Sequence, residues 1–529
     1  MSSDSVGYPT TLRRRRAAWG HSRPAVLSGL RRRPELALLI GVAAVLNLWQ
    51  LSVNGWANTY YSAAVRSMST SWHDFLFVSL DRSGLMTVDK PPLALWVQAL
   101  SVRVFGFHPL SMVVPQAIMG VLATVLLYDV VRRRFGRAAG FAGGLALATT
   151  PIAVAVSRHN NPDELLVLCC VAALWLALRA LETGRTRWLV WAGVATGLGF
   201  EAKMGVALMV VPAIAAAYLY VAPRGRVIAL GQLLAGGLAL AAVGAAWPLV
   251  VTLTPAADRP WISGTADNSI WSLIFSYNGV GRIAGQTGGP EAFGGGGGGG
   301  ATFGGSTGVF RLLASGLGDQ GGWLLGFAVV AGLGVLASTR LRRADPRTGW
   351  LLAVGGSFIT VAAVFSLAHG IFHPYYVSFL APLTAALIGA GAGLALGPSR
   401  IGRIAATLAL MAGAVTELVV LAGLHGQLVW AKPLVIVAAV AAALVLLLNF
   451  SPQGRVAVLG GALALLFAAP AAWAAQTLGH ATSGTFPTGG PASAGGDLGG
   501  PPGLARGRHG LRLGLGGPPG SGAGVGGPP

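Results

Sequence analysis

An all-α polytopic membrane protein is the fold class this sequence predicts, and three observations carry that prediction. Hydrophobic residues make up 53% of the chain and charged residues only 10%, against about 25% charged in soluble domains. Mean hydropathy is +0.65. Apolar runs close to 20 residues recur along most of the length, the length a helix needs to cross a bilayer, whereas barrel strands would alternate over about 10 residues.

Taken in order, a basic arm over 1–33 precedes the first apolar run, 34–51, and reads as cytoplasmic. Further spans are expected at 109–131, 138–156, 163–181, 187–202, 204–222, 227–254, 322–340, 350–369, 375–397, 401–424, 432–450 and 456–475, about 13 in all. Most of the 37 Lys plus Arg fall in the arm and in alternate short loops. That distribution obeys the positive-inside rule and explains the net charge of +20 without nucleic acid. Membrane lipids are the expected surroundings. Cys169 and Cys170 lie inside an apolar run and read as small fillers. The Gly-rich stretch within 255–320, which includes Gly294–Gly300, reads as an outer loop, and the Gly/Pro-rich tail, 476–529, as disordered.

Only 17 Asp plus Glu occur in 529 residues, so their placement is informative. The topology puts five segments on one outer face: 54–96, 157–163, 200–204, 254–320 and 369–376. The first is too polar to span but has aromatic residues at mixed spacing, as short interfacial helices do. It holds Asp81 and, before Pro91-Pro92, the pair Asp89-Lys90. Proline disfavours helix in the residue before it, so the pair is expected on a rigid extended entry. A carboxylate and an ammonium presented in that way suit proton abstraction and phosphate binding.

The second segment reads Arg158-His-Asn-Asn-Pro-Asp163. Asp163 also has a purely local reading, as a helix cap. Glu201 and Lys203 lie at an apolar turn, where ionisable groups are costly and pair or act. His373, Tyr375 and Tyr376 suit sugar or phosphate contacts, though Tyr and His also favour interfaces. His369 and His373 are a weak zinc pattern. No cofactor is certain, and a divalent metal is left open.

The order of these features resembles a known family. The matching stretches are Tyr60-Tyr-Ser-Ala-Ala-Val-Arg-Ser-Met68, Val88-Asp-Lys-Pro-Pro-Leu-Ala-Leu-Trp96, Arg158–Asp163, Gly184-Arg-Thr-Arg-Trp-Leu189 and Gly197-Leu-Gly-Phe-Glu-Ala-Lys-Met204. They resemble glycosyltransferase family 39 of the GT-C class, the protein O-mannosyltransferase and aminoarabinose transferase type. The nearest likeness is to bacterial mannosyltransferase-like chains with a Gly-rich outer loop.

The resemblance implies a GT-C-like bundle over 34–475, with 54–96 as the catalytic loop. It implies transfer of a sugar, such as mannose, from a polyprenyl-phosphate donor to an extracytoplasmic lipid, polymer or protein, in the plasma membrane. Asp89 is then the first choice of base, with Asp81 and Asp163 as further candidates. Lys90, Arg158 and Lys203 would hold the donor phosphate. Asn58, Tyr60, Tyr61, His159, Glu201, His373, Tyr375 and Tyr376 would contact substrate. Two departures stand out: the usual Asp-Glu pair is Ala57-Asn58 here, and the extra C-terminal domain is replaced by the tail. The rival readings are a flippase for a lipid-linked precursor and a non-catalytic envelope scaffold.

Overall fold

The computed structural model describes residues 33–284, 304–370, 372–448, 450–482 and 484–495. The arm before residue 33, the core of the Gly-rich stretch and the tail beyond 495 lie outside the described residues. The described residues are mainly helical, and two isolated bridges, Ser79 with Thr87 and Met86 with Trp261, are the β-pairings among them. Helices suit an apolar sequence in lipid because each satisfies its own backbone polar groups.

Among the described residues, nine helical stretches are long and apolar enough to cross a membrane, or ten when one bent pair counts as a span. This is a multi-pass membrane protein. The expected 13 is not carried by these alone, since Leu325–Thr339 and Ala431–Leu447 are apolar but only 15 and 17 residues long.

The first span is α1, Pro34–Leu48. The expected interfacial helices follow as α2 (Thr59–Thr70), α3 (Trp72–Phe77) and α4 (Leu93–Phe105). They pack through their own apolar cluster, which includes Val65, Met68, Phe77, Leu95 and Trp247. Phe75 stacks on Trp96 at 5.4 Å, and the Trp96 indole donates to the Phe75 carbonyl at 2.6 Å.

The long span α5, Pro109–Phe135, leads to α6 (Arg137–Ala148) and α7 (Pro151–Ser157), which meet at 65°. Proline explains the bend. Thr150 precedes Pro151 and is extended, so the helix stops and restarts.

Two antiparallel helices then set the site. α8 runs from Asp163 to Thr183 and α9 from Thr186 to Lys203. Their connection is short, so the start of α8 and the end of α9 come together at the same end of the bundle. Thr186–Val221 has the composition of one 36-residue span. Met204, at φ 49, nevertheless breaks the helix, and Arg224 packs back on Gly184 at the start of α9. The chain therefore reverses at Lys203, as the sequence predicts.

The main core is continuous from α5 through α8 into the C-terminal helices. Part of the tail expected to be disordered is ordered. Thr482 donates to Asn54 Oδ1, Gly489 exchanges two hydrogen bonds with Gln320, and Phe486 packs on His373 at 5.1 Å.

Candidate active site

Pro91 and Pro92 keep Asp89 and Lys90 outside α4, in a loop pinned by neighbouring backbone. Thr87 N donates to Trp261 O at 2.8 Å, and Ser263 N donates to Thr87 Oγ1 at 3.1 Å. Lys90 Nζ lies 2.5 Å from Asp89 Oδ2. Tyr60 donates its hydroxyl to Asp89 Oδ1 at 3.4 Å and accepts the Asp89 N–H at 3.2 Å. Asn278 closes the ring, donating to Asp89 O at 3.0 Å. Burial opposes the Asp89 charge, but the Lys90 ammonium and the Arg282 guanidinium outweigh it and hold the carboxyl below its usual value. Burial, with Asp89 nearby, pushes the Tyr60 and Tyr61 phenols up, so both remain protonated.

A second ion pair stands opposite. Asp163 opens α8, where the helix dipole favours an anion, and Lys203 closes α9, where it favours a cation. The two pair directly, with side chains only 2% and 6% exposed. Lys203 also sits over the Tyr376 ring at 4.0 Å and the Tyr375 ring at 5.1 Å, a cation–π arrangement that partly replaces lost hydration.

A cavity of about 120 Å³ opens between the pairs. Lys90, Lys203 and Arg282 line it together with the apolar Val206, Met209, Val364 and Phe372. His373 stacks on Tyr375. Burial and the three cations Arg282, Lys90 and Lys203 drive its ring well below the usual histidine value, so it is neutral. All five segments expected on one face contribute here, through Lys90, Asp163, Lys203, Arg282 and Tyr376.

Several predicted site residues hold the scaffold instead. Asp81 accepts from Ser83 N, Leu85 N and Met86 N, which closes its own turn. Asn58 caps α2 through Tyr60 N and pairs with Asn160 in both directions. Arg158 is fully buried and donates to the carbonyls of Leu46, Asn47, Trp49 and Gln50, capping α1. Both terminal nitrogens are thus engaged by backbone, and Arg158 does not line the cavity. His159 is buried beside it and Glu201 is buried on α9, and neither lines the cavity. Arg158→Met is expected to lower the melting temperature, because four carbonyls lose a charged donor worth about 1.5–3 kcal/mol. A thermal melt of the purified protein checks this.

Arg282, Asn278 and Tyr277 were not foreseen. They precede the Gly-rich stretch in a long polar segment, where an arginine is no anomaly. The kink at Gly279, with φ −106 and ψ −112, turns Asn278 toward Lys90. For the divalent metal left open by the sequence, no group of three or more His, Cys, Asp or Glu stands together among the described residues. The two carboxylates at the cavity are each engaged by a lysine.

Residues 89–250 match the family model of the dolichyl-phosphate-mannose-protein mannosyltransferases. Asp89, Lys90, Asp163 and Lys203 fall inside that match. Two Bacillus subtilis proteins, "Putative mannosyltransferase YkcB" and "Putative mannosyltransferase YycA", are each 33% identical over 67% of this chain. The chain spans 61% and 63% of their lengths. The crystal structure of ArnT from Cupriavidus metallidurans bound to undecaprenyl phosphate superposes with a TM-score of 0.52. That likeness covers 82% of this chain and 77% of ArnT at 20% identity, and shows a shared fold. By sequence, residues 89–250 are thus similar to that mannosyltransferase family, and by fold the chain is similar to ArnT.

Proposed function

We propose that the protein transfers a sugar from a polyprenyl-phosphate donor to an acceptor at the outer face of the plasma membrane. One observation carries this reading. Three cations and several apolar side chains line one small cavity, and two carboxylates pair with its lysines. A lipid phosphate has that same division between charge and hydrocarbon. The relatives named mannosyltransferases, and ArnT with its bound undecaprenyl phosphate, support the same donor class.

In this reading Lys90, Lys203 and Arg282 stabilise the phosphate as the glycosidic C–O bond breaks, and it leaves as polyprenyl phosphate. An acceptor oxygen forms the new bond at the anomeric carbon, and Asp89 takes its proton. Asp89 suits the role better than Asp163, because its side chain is 19% exposed against 2%. Tyr60 orients the Asp89 carboxylate. Incubating the purified protein with undecaprenyl-phosphate sugars tests the proposal. Release of undecaprenyl phosphate with at least one of them is expected, and movement of intact donor without cleavage would favour a flippase.

The pH dependence follows from Asp89. A carboxyl held below 3.8 in the folded chain is ionised throughout the neutral range. Its contribution to stability is present above the unfolded value and lost only as pH falls through the folded one. Neutral His373 adds no charge change near pH 6. A profile of kcat/KM against pH is therefore expected to lack an acid limb at about pH 6, and a limb there would point to another base.

A further inference from the structure

A second cavity, of about 310 Å³, lies away from the cation cluster. Its wall is built by the turn after Gly316, the end of the helix Arg400–Gly423 and the ordered part of the tail. The polar lining is Ser315, Asp319, His425, Gln427 and Ser493, with Trp473 beneath. Asp319 is 8% exposed and Trp473 1%. Asp319 Oδ2 accepts from Gln320 at 2.7 Å. The Asp319 carboxylate also interacts with the Trp473 indole, although Oδ1 and Nε1 fall short of full hydrogen-bond geometry. A carboxylate oxygen has more than one lone pair, so Asp319 Oδ1 can still accept from a ligand in the cavity.

The lining selects a chemistry. It offers hydroxyls, an amide, an imidazole and an indole N–H, and its acid is a carboxylate. No Lys or Arg lines the cavity, so an anion would meet Asp319 unopposed. Its volume exceeds the donor cavity's 120 Å³ and admits a sugar ring. The tail links the two places: Phe486 lies on His373 at the first, Gly489 is tied to Gln320, and Ser493 lines the second.

We infer that this cavity binds a neutral glycan, the hydroxyl-rich part of the acceptor, through Asp319, Gln427 and Ser493. The inference rests on the proposed transferase reading for calling that glycan an acceptor. The glycan's hydroxyls donate to Asp319 Oδ1 and accept from the second N–H of the Gln427 amide, whose first goes to Ser493 Oγ at 3.3 Å. The ordered tail is then part of a binding site, which accounts for its packing against two distant loops.

Saturation-transfer NMR on the full-length protein in detergent tests the inference, with mannotriose as neutral probe and trigalacturonate as anionic probe. Mannotriose is expected to bind, with trigalacturonate about tenfold weaker or more, the factor expected from one unfavourable charged contact. Ser493→Trp fills the cavity and should abolish the mannotriose signal. Gln427→Leu, at a half-buried position in a turn, should weaken it while leaving the helical core untouched. Hydrolysis of the donor in the absence of acceptor should be unchanged in both variants. Absence of mannotriose binding, or equal binding by wild type and both variants, would overturn the site. Loss of donor cleavage by wild type with mannotriose binding intact would instead overturn the transferase reading.

Discussion

Asp89→Asn is expected to lower sugar transfer by about 10²–10⁴-fold, the range that a positioned general base contributes. The amide keeps the size of the side chain and its contact with Tyr60, but it cannot accept the acceptor's proton. Lys90 loses its charged partner at 2.5 Å yet keeps Asn278, so donor binding should change less than turnover. Measuring transferred sugar per mole of folded protein, with KM for the donor alongside, separates the two. Turnover near the wild-type value would remove Asp89 from the chemistry.

Lys203→Met is expected to damage fold and function together. Its ammonium and the Asp163 carboxylate are almost fully buried as a pair. Removing one member strands the other charge, at a cost of about 3–5 kcal/mol. The double variant Asp163→Asn with Lys203→Met replaces both charges and should recover much of that loss in a thermal or denaturant melt. It should not recover transfer, because the cavity still lacks a cation. If the double variant regained wild-type transfer, the pair would be a structural strut only.

Much of this site was legible because ionisable residues are scarce in the chain. Asp89, Lys90, Asp163 and Lys203 stood out as charges beside apolar runs, and positive-inside counting placed them on one face. Antiparallel α8 and α9 then bring Asp163 and Lys203 into contact, which spacing along the chain could not show.

The overreadings share one cause. Asp81, Asn58 and Arg158 are polar residues beside helix ends and turns, and in sequence a cap and a ligand look alike. The structure shows what their side chains touch, which is backbone in each case. Arg282 was missed for the opposite reason. It sits in a polar segment where charge is unremarkable, and only the fold carries it to the cavity. The span count was also set by composition, which does not register that Leu325–Thr339 and Ala431–Leu447 are short.

The central claim is that Lys90, Lys203 and Arg282 hold a lipid phosphate while Arg158 holds only the scaffold. Equilibrium binding of undecaprenyl phosphate to the protein in nanodiscs tests it most directly, comparing wild type, Arg282→Met and Arg158→Met. Arg282→Met is predicted to bind about tenfold more weakly or worse, the value of one lost charge-assisted contact, and Arg158→Met to bind as wild type does. Unchanged affinity in Arg282→Met together with a loss in folded Arg158→Met would contradict the account.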